Sequence, residues 1–95
     1  MIATAYEAER SRLLLAFGRK LRAERERQRL SQESLADLAS VHRTHLGALE
    51  RGRREPGLSM LLILAHTLGV KPGALLDGLP VPAERKPATH SMAVP

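Results

Sequence analysis

Residues 30–52 read LSQESLADLASVHRTHLGALERG, and this stretch decides how the chain folds. Ser31 is a good helix N-cap, and Gln32 and Glu33 suit the first turn that follows it. Leu35, Ala36 and Ala39 share the inner face of a short helix that ends near Ala39–Ser40. A tight turn follows, in which Val41 is the only apolar residue. The next helix runs from about His42 to Arg51, with Leu46 and Leu49 facing inward. Gly52 stands where a left-handed C-terminal cap belongs.

Upstream, residues 4–29 contain no proline and one glycine, Gly18, and are expected to form one long first helix. Leu13, Phe17 and Leu21 recur every four residues as an apolar stripe, and Arg25 continues it. Lys20, Arg22, Arg27 and Arg29, with Glu24 and Glu26, lie around that stripe as a charged, solvated face. Downstream, Arg53-Arg54-Glu55-Pro56-Gly57 is a loop, because Pro56 forbids helix continuation. Ser59 is expected to cap a fourth helix, Met60 to Leu68, stopped by Gly69. Leu58, Leu61, Leu62, Ala65 and Leu68 are its expected core positions. Lys71-Pro72 starts a short fifth helix ending at Asp77-Gly78. From Pro80 onward four prolines punctuate small polar residues, so residues 1–79 form the domain and residues 80–95 a disordered tail.

Composition narrows the function. The 95 residues make one domain, and with Tyr6 and Phe17 as the only aromatics the core must be aliphatic, chiefly leucine. β-formers are too sparse for a sheet, so the expected class is all-α. Cysteine is absent, which removes disulfides, thiolate metal sites and thiol nucleophiles and suits a reducing cytoplasm. No apolar run approaches the ~18 residues of a membrane span. Leu13-Leu14-Leu15-Ala16 is too short for a signal core. His42 and His45 are three apart, but no third ligand is apparent, so neither a metal nor a cofactor is expected. No Ser/His/Asp set, phosphate loop or carboxylate pair supports an enzyme. The net charge of +5 favours a polyanion.

Two short helices joined by a tight turn, the second capped by glycine, match a helix-turn-helix at about 31–52. Leu30-Ser31-Gln32-Glu33-Ser34-Leu35-Ala36 resembles the opening of that motif in the Xre/Cro family of phage repressors and bacterial regulators. Leu46-Gly47-Ala48-Leu49-Glu50-Arg51-Gly52 resembles the end of the family's recognition helix. Glu55-Pro56-Gly57-Leu58 through Leu64-Ala65-His66-Thr67-Leu68-Gly69-Val70 resembles its fourth helix. Three motifs in order, over roughly residues 17–78, imply a five-helix repressor-like domain that binds double-stranded DNA as a transcriptional regulator.

The resemblance places His42, Arg43, Thr44 and Gly47 at contact positions in the major groove. Arg43 has the fork to grip guanine O6 and N7, and Thr44 can offer a hydroxyl or a methyl. Gln32, beside the free backbone N–H groups of its helix, can donate to a phosphate while abutting the third helix. Arg53 and Arg54 are expected phosphate clamps. Arg25 is expected to pair with Glu50 and orient the reading helix. The chain departs from the family in having Ser40 where the turn usually carries glycine, and His42 where Ser or Thr usually caps the third helix.

Relatives act as homodimers on near-palindromes, mostly as repressors. Here Val70, Pro72, Ala74, Leu75 and Leu76 of the fifth-helix region, with Met60, Ile63 and Leu79, supply an apolar excess for self-association. The N-terminal extension, with Ile2, Tyr6, Leu13 and Leu14, is a second candidate unless it folds back on its own core. The layout resembles stand-alone regulators such as Cro and restriction–modification controller proteins. An antitoxin, with a protein partner on its tail or N-terminal helix, and a protein-binding adaptor remain alternatives.

Overall fold

The computed structural model describes residues 4–82. These form five helices: α1 (Ala5–Arg27), α2 (Gln32–Ala39), α3 (Arg43–Glu50), α4 (Leu58–Leu68) and α5 (Gly73–Leu76). No strand occurs among the described residues, as the composition requires. Helix α1 packs against α3 and α5, and α2 packs against α3 and α4.

Each helix starts and stops for a local reason. Thr4 and Glu7 cap α1 reciprocally, each side chain bonded to the other's backbone N–H. Ser31 Oγ accepts from the Ser34 backbone N–H and caps α2. Gly69, at φ 68°, ends α4 in the left-handed region. Helix α4 begins two residues earlier than expected: Gly57 holds the N-cap position without a side-chain bond, and Ser59 lies inside the helix.

Six leucines are fully buried: Leu21, Leu35, Leu46, Leu49, Leu64 and Leu75. Every helix contributes at least one, so removing any helix exposes core worth roughly 1.5–3 kcal/mol per leucine. Phe17 and the small residues Ala36, Ala39 and Ala65 fill the space between. Leu30, Val41, Met60, Val70 and Leu79 pack half-buried against this core.

Three expected positions are corrected. Leu58 is 74% exposed and Leu62 47%, because the face of α4 that meets the core is Leu61, Leu64, Ala65 and Leu68, at i, i+3, i+4 and i+7. Leu75, expected on an outer surface, is a fully buried core residue. Leu14 of the N-terminal extension is buried and Leu13 half-buried beside Phe17, Leu61, Leu76 and Leu79, so this turn of α1 folds back on its own core. Farther out, Arg10 Nη2 meets Glu55 Oε1 at 2.7 Å and ties α1 to the loop after α3. Ile2 and most of the expected tail, residues 83–95, lie outside the described residues.

No helix among the described residues is long and apolar enough to cross a membrane.

Candidate nucleic-acid interface

The turn between α2 and α3 is built from residues that look unsuited to it. Ser40 adopts φ 57° and ψ 42°, the left-handed conformation for which glycine is the usual choice. It closes α2, and the next N–H, that of Val41, donates back to the Ala36 carbonyl at 2.9 Å. His42 then supplies the N-cap of α3: its Nδ1 accepts from the Thr44 backbone N–H at 3.2 Å. An imidazole nitrogen thus replaces the usual hydroxyl, which requires the neutral ring with its proton on Nε2.

Beyond that cap, Arg43 and Thr44 stand exposed on the first turn of α3. Leu46 and Leu49 point the other way, fully buried. The outer face of α3 is therefore polar and open at its N-terminal turn, while its inner face is fixed in the core. Arg53 and Arg54 are exposed in the loop after α3, where Gly52 at φ 73° turns the chain. A side chain at Gly52 would lie 2.9 Å from Leu15 backbone atoms, so the close pass against α1 demands glycine twice over.

Helix α3 is anchored by a buried ionic network. Arg25 and Glu50 are each only 8% exposed. Arg25 Nε donates to Glu50 Oε2 at 2.6 Å, and Nη2 donates to Oε1 at 2.9 Å, a bidentate pair. The third arm of the guanidinium, Nη1, donates to the Leu30 carbonyl at 2.8 Å. The hydrogen bond to Glu50 raises the Arg25 pKa above its ordinary value, so the guanidinium keeps its charge despite burial. Gln32 Nε2 donates to Glu50 Oε1 at 2.9 Å and completes the network. Among the described residues no buried side-chain polar atom lacks a partner. Helices α1, α2 and α3 are thereby locked through one carboxylate.

Gln32 therefore has two faces. One amide proton is committed to Glu50, which leaves the second proton and Oε1 at the first turn of α2. Gly47, on the outer face of α3, is covered, with Gln32 and Arg51 atoms nearest the place its side chain would occupy.

Two positioning residues escaped the sequence reading. A Cβ at Gly18 would fall 2.7 Å from the Leu49 carbonyl oxygen and within contact of Glu50 backbone, so α1 crosses the end of α3 backbone to backbone. Gln28 Nε2 donates to the Leu68 carbonyl at 2.6 Å and satisfies the end of α4. A lone glycine inside an otherwise unbroken helical pattern was the available signal for the first. A polar side chain bridging helices 40 residues apart leaves none for the second. Among the described residues no three His, Cys, Asp or Glu side chains converge as metal ligands would.

The helix-turn-helix family profile matches residues 21–75. The control protein C.BamHI of Bacillus amyloliquefaciens is 41% identical over 64 residues, covering 66% of this chain and 79% of that protein. The immunity repressor of Bacillus phage phi105 is 34% identical over 62 residues, 65% of this chain and 43% of that protein. Among solved structures, the restriction–modification controller protein C.AhdI from Aeromonas hydrophila superposes with a TM-score of 0.64 at 42% identity, over 65% of this chain and 94% of that chain. With α2 and α3 forming the motif and the matched span running from the last two turns of α1 nearly to the end of α5, the chain belongs to the helix-turn-helix family of DNA-binding transcriptional regulators.

Proposed function

We propose that the chain represses transcription as a homodimer that reads a near-palindromic operator in bacterial cytoplasm. The observation that carries this reading is the exposed first turn of α3, with Arg43 and Thr44, held in place by the buried Arg25–Glu50–Gln32 network. A reading helix must present side chains to base edges at fixed height and angle, and a carboxylate gripped from two other helices supplies that rigidity.

With α3 in the major groove, Arg43 forms a bidentate contact to guanine and Thr44 meets a neighbouring base or phosphate. His42 lies at the same end, at the edge of the groove. The second amide proton of Gln32 and the free N–H groups of the α2 N-terminus face the phosphate backbone. Arg53 and Arg54 clamp phosphates on the far side. One eight-residue helix reads too few base pairs for a regulator, so two copies are required. Leu58, Leu62 and Ile63 on α4 and Leu76 on α5 are exposed and offer apolar surface for the two-fold contact.

The test is binding to duplexes enriched from a random pool and then altered one base pair at a time. Arg43→Ala is expected to relax the preference at one base pair and to lower specific affinity by about 1–3 kcal/mol. If Arg43→Ala keeps the parent's relative preferences on every duplex, Arg43 touches phosphate and the base-reading role is wrong.

A further inference from the structure

Arg51, the C-cap of α3, is exposed, and its guanidinium leans back beside Gly47. A Cβ built on Gly47 would sit 3.0 Å from Arg51 Nη1 and 3.8 Å from its Cζ. The spacing explains this: 47 and 51 are one turn apart on the same face, and helical side chains lean toward the N-terminus. Arg43, Gly47 and Arg51 continue that spacing, so the guanidinium is carried back along the same face that presents Arg43.

The absence of a side chain at Gly47 leaves room for this placement. Any Cβ would crowd Nη1, and Gln32 Oε1 closes the other side of the gap at 3.6 Å. The neighbouring carboxylate offers no competing partner, because Glu50 is held by Arg25 and Gln32. Among the described residues no carboxylate or carbonyl holds the Arg51 guanidinium. It is an exposed cation with five donors beside Gly47, one turn beyond Arg43 on α3. Arg53 and Arg54, by contrast, sit past Gly52 in the loop.

Resting on the DNA-binding reading above, we propose that Arg51 is a second base-reading residue, which reaches the major-groove edge of a guanine through the gap left by Gly47. Glycine at position 47 is thus a specificity determinant through what it omits. Gly47 and Arg51 act as one reading unit, beside the base pair read by Arg43.

The experiment measures binding of the full chain to the enriched duplex and to its single-base-pair variants, for Arg51→Ala, Gly47→Ala and the double variant. Arg51→Ala is expected to lose roughly five- to a hundred-fold on the enriched duplex, with preference relaxed at one base pair distinct from that of Arg43. Gly47→Ala is expected to relax preference at that same base pair, since the new methyl displaces the far end of Arg51, and to change nothing further once Arg51 is alanine. Alanine is the better helix residue, so this variant folds, and its melting curve checks that. If Arg51→Ala weakens every duplex alike and lowers the salt slope, Arg51 is a phosphate contact and the inference is overturned. It is also overturned if the two single variants alter different base pairs. If the parent enriches no duplex at all, the DNA-binding reading itself has failed, a result distinct from either of these.

Discussion

Arg25 and Glu50 illustrate how one pair of side chains can decide function without touching the ligand. The pair is buried, bidentate and fully bonded, so removing either partner leaves an uncompensated charge in the interior. Arg25→Ala and Glu50→Ala are each expected to destabilise by about 3–5 kcal/mol, and the double variant by less than their sum. Thermal or urea melts of the three variants measure this; strict additivity would mean that the pair is not energetically coupled. DNA binding should fall on specific and nonspecific duplexes together, unlike the selective loss for Arg43→Ala. Gly18 acts at the same junction by having no side chain. Gly18→Ala drives a methyl into the carbonyls that end α3, and backbone cannot yield as a flexible side chain would. The expected cost is about 1–3 kcal/mol despite alanine's better helix propensity, and a melting temperature at or above the parent's would contradict the close crossing. The stripe that ran from Leu13 through Phe17 and Leu21 to Arg25 already pointed Arg25 inward, and its partner followed from family resemblance. Gly18 was visible only as a glycine, because a helix–helix approach distance has no one-dimensional signature.

At the scale of elements, the start of α2 and the end of α3 could be placed from sequence because Ser31 and Gly52 carry their own chemistry. Ser40 and His42 are by type poor turn and cap residues, and the start of α3 beside them was the less legible boundary. The start of α4 could not be placed. Ser59 is the better cap by type, yet Gly57 holds the position; nor was the inner stripe of α4 fully placed, since Leu58 and Leu62 are exposed and Leu64 is buried. A helix as leucine-rich as LSMLLILAHTL has apolar residues on every side, so periodicity does not choose the buried face. The turn itself carries strain. Ser40→Gly removes the crowding that a side chain meets at φ 57°, at some entropic cost in the unfolded chain, and is expected to stabilise by up to about 1 kcal/mol. A loss of stability on denaturant titration would mean that the serine side chain contributes something the backbone geometry does not reveal. In the loop after α3, Arg54→Ala is expected to weaken binding to all duplexes alike and to reduce the slope of log affinity against log salt by about 1. An unchanged slope would remove Arg54 from the phosphate contacts.

The whole molecule is a small core of leucines carrying a reading face on α3 and uncovered apolar residues on α4 and α5. The all-α class was legible from composition, since a chain with two aromatics and no cysteine has few other ways to bury itself. The apolar excess was legible too, but not its allotment: Leu75 went to the core, while Ile63, Leu62 and Leu76 stayed outside. Ile63→Glu, which alters only an exposed position on α4, is expected to yield a folded monomer by sedimentation and to lose operator affinity. A parent protein already monomeric at micromolar concentration, with and without DNA, would remove the two-fold arrangement. Two reading helices related by such an axis must meet the same face of the duplex, one helical turn apart. Hydroxyl-radical footprinting of the parent protein on its enriched duplex tests this directly. The expected result is two protected half-sites with centres ~34 Å apart, each spanning a major groove. A single protected patch of half that extent, or uniform cleavage along the duplex, would contradict it.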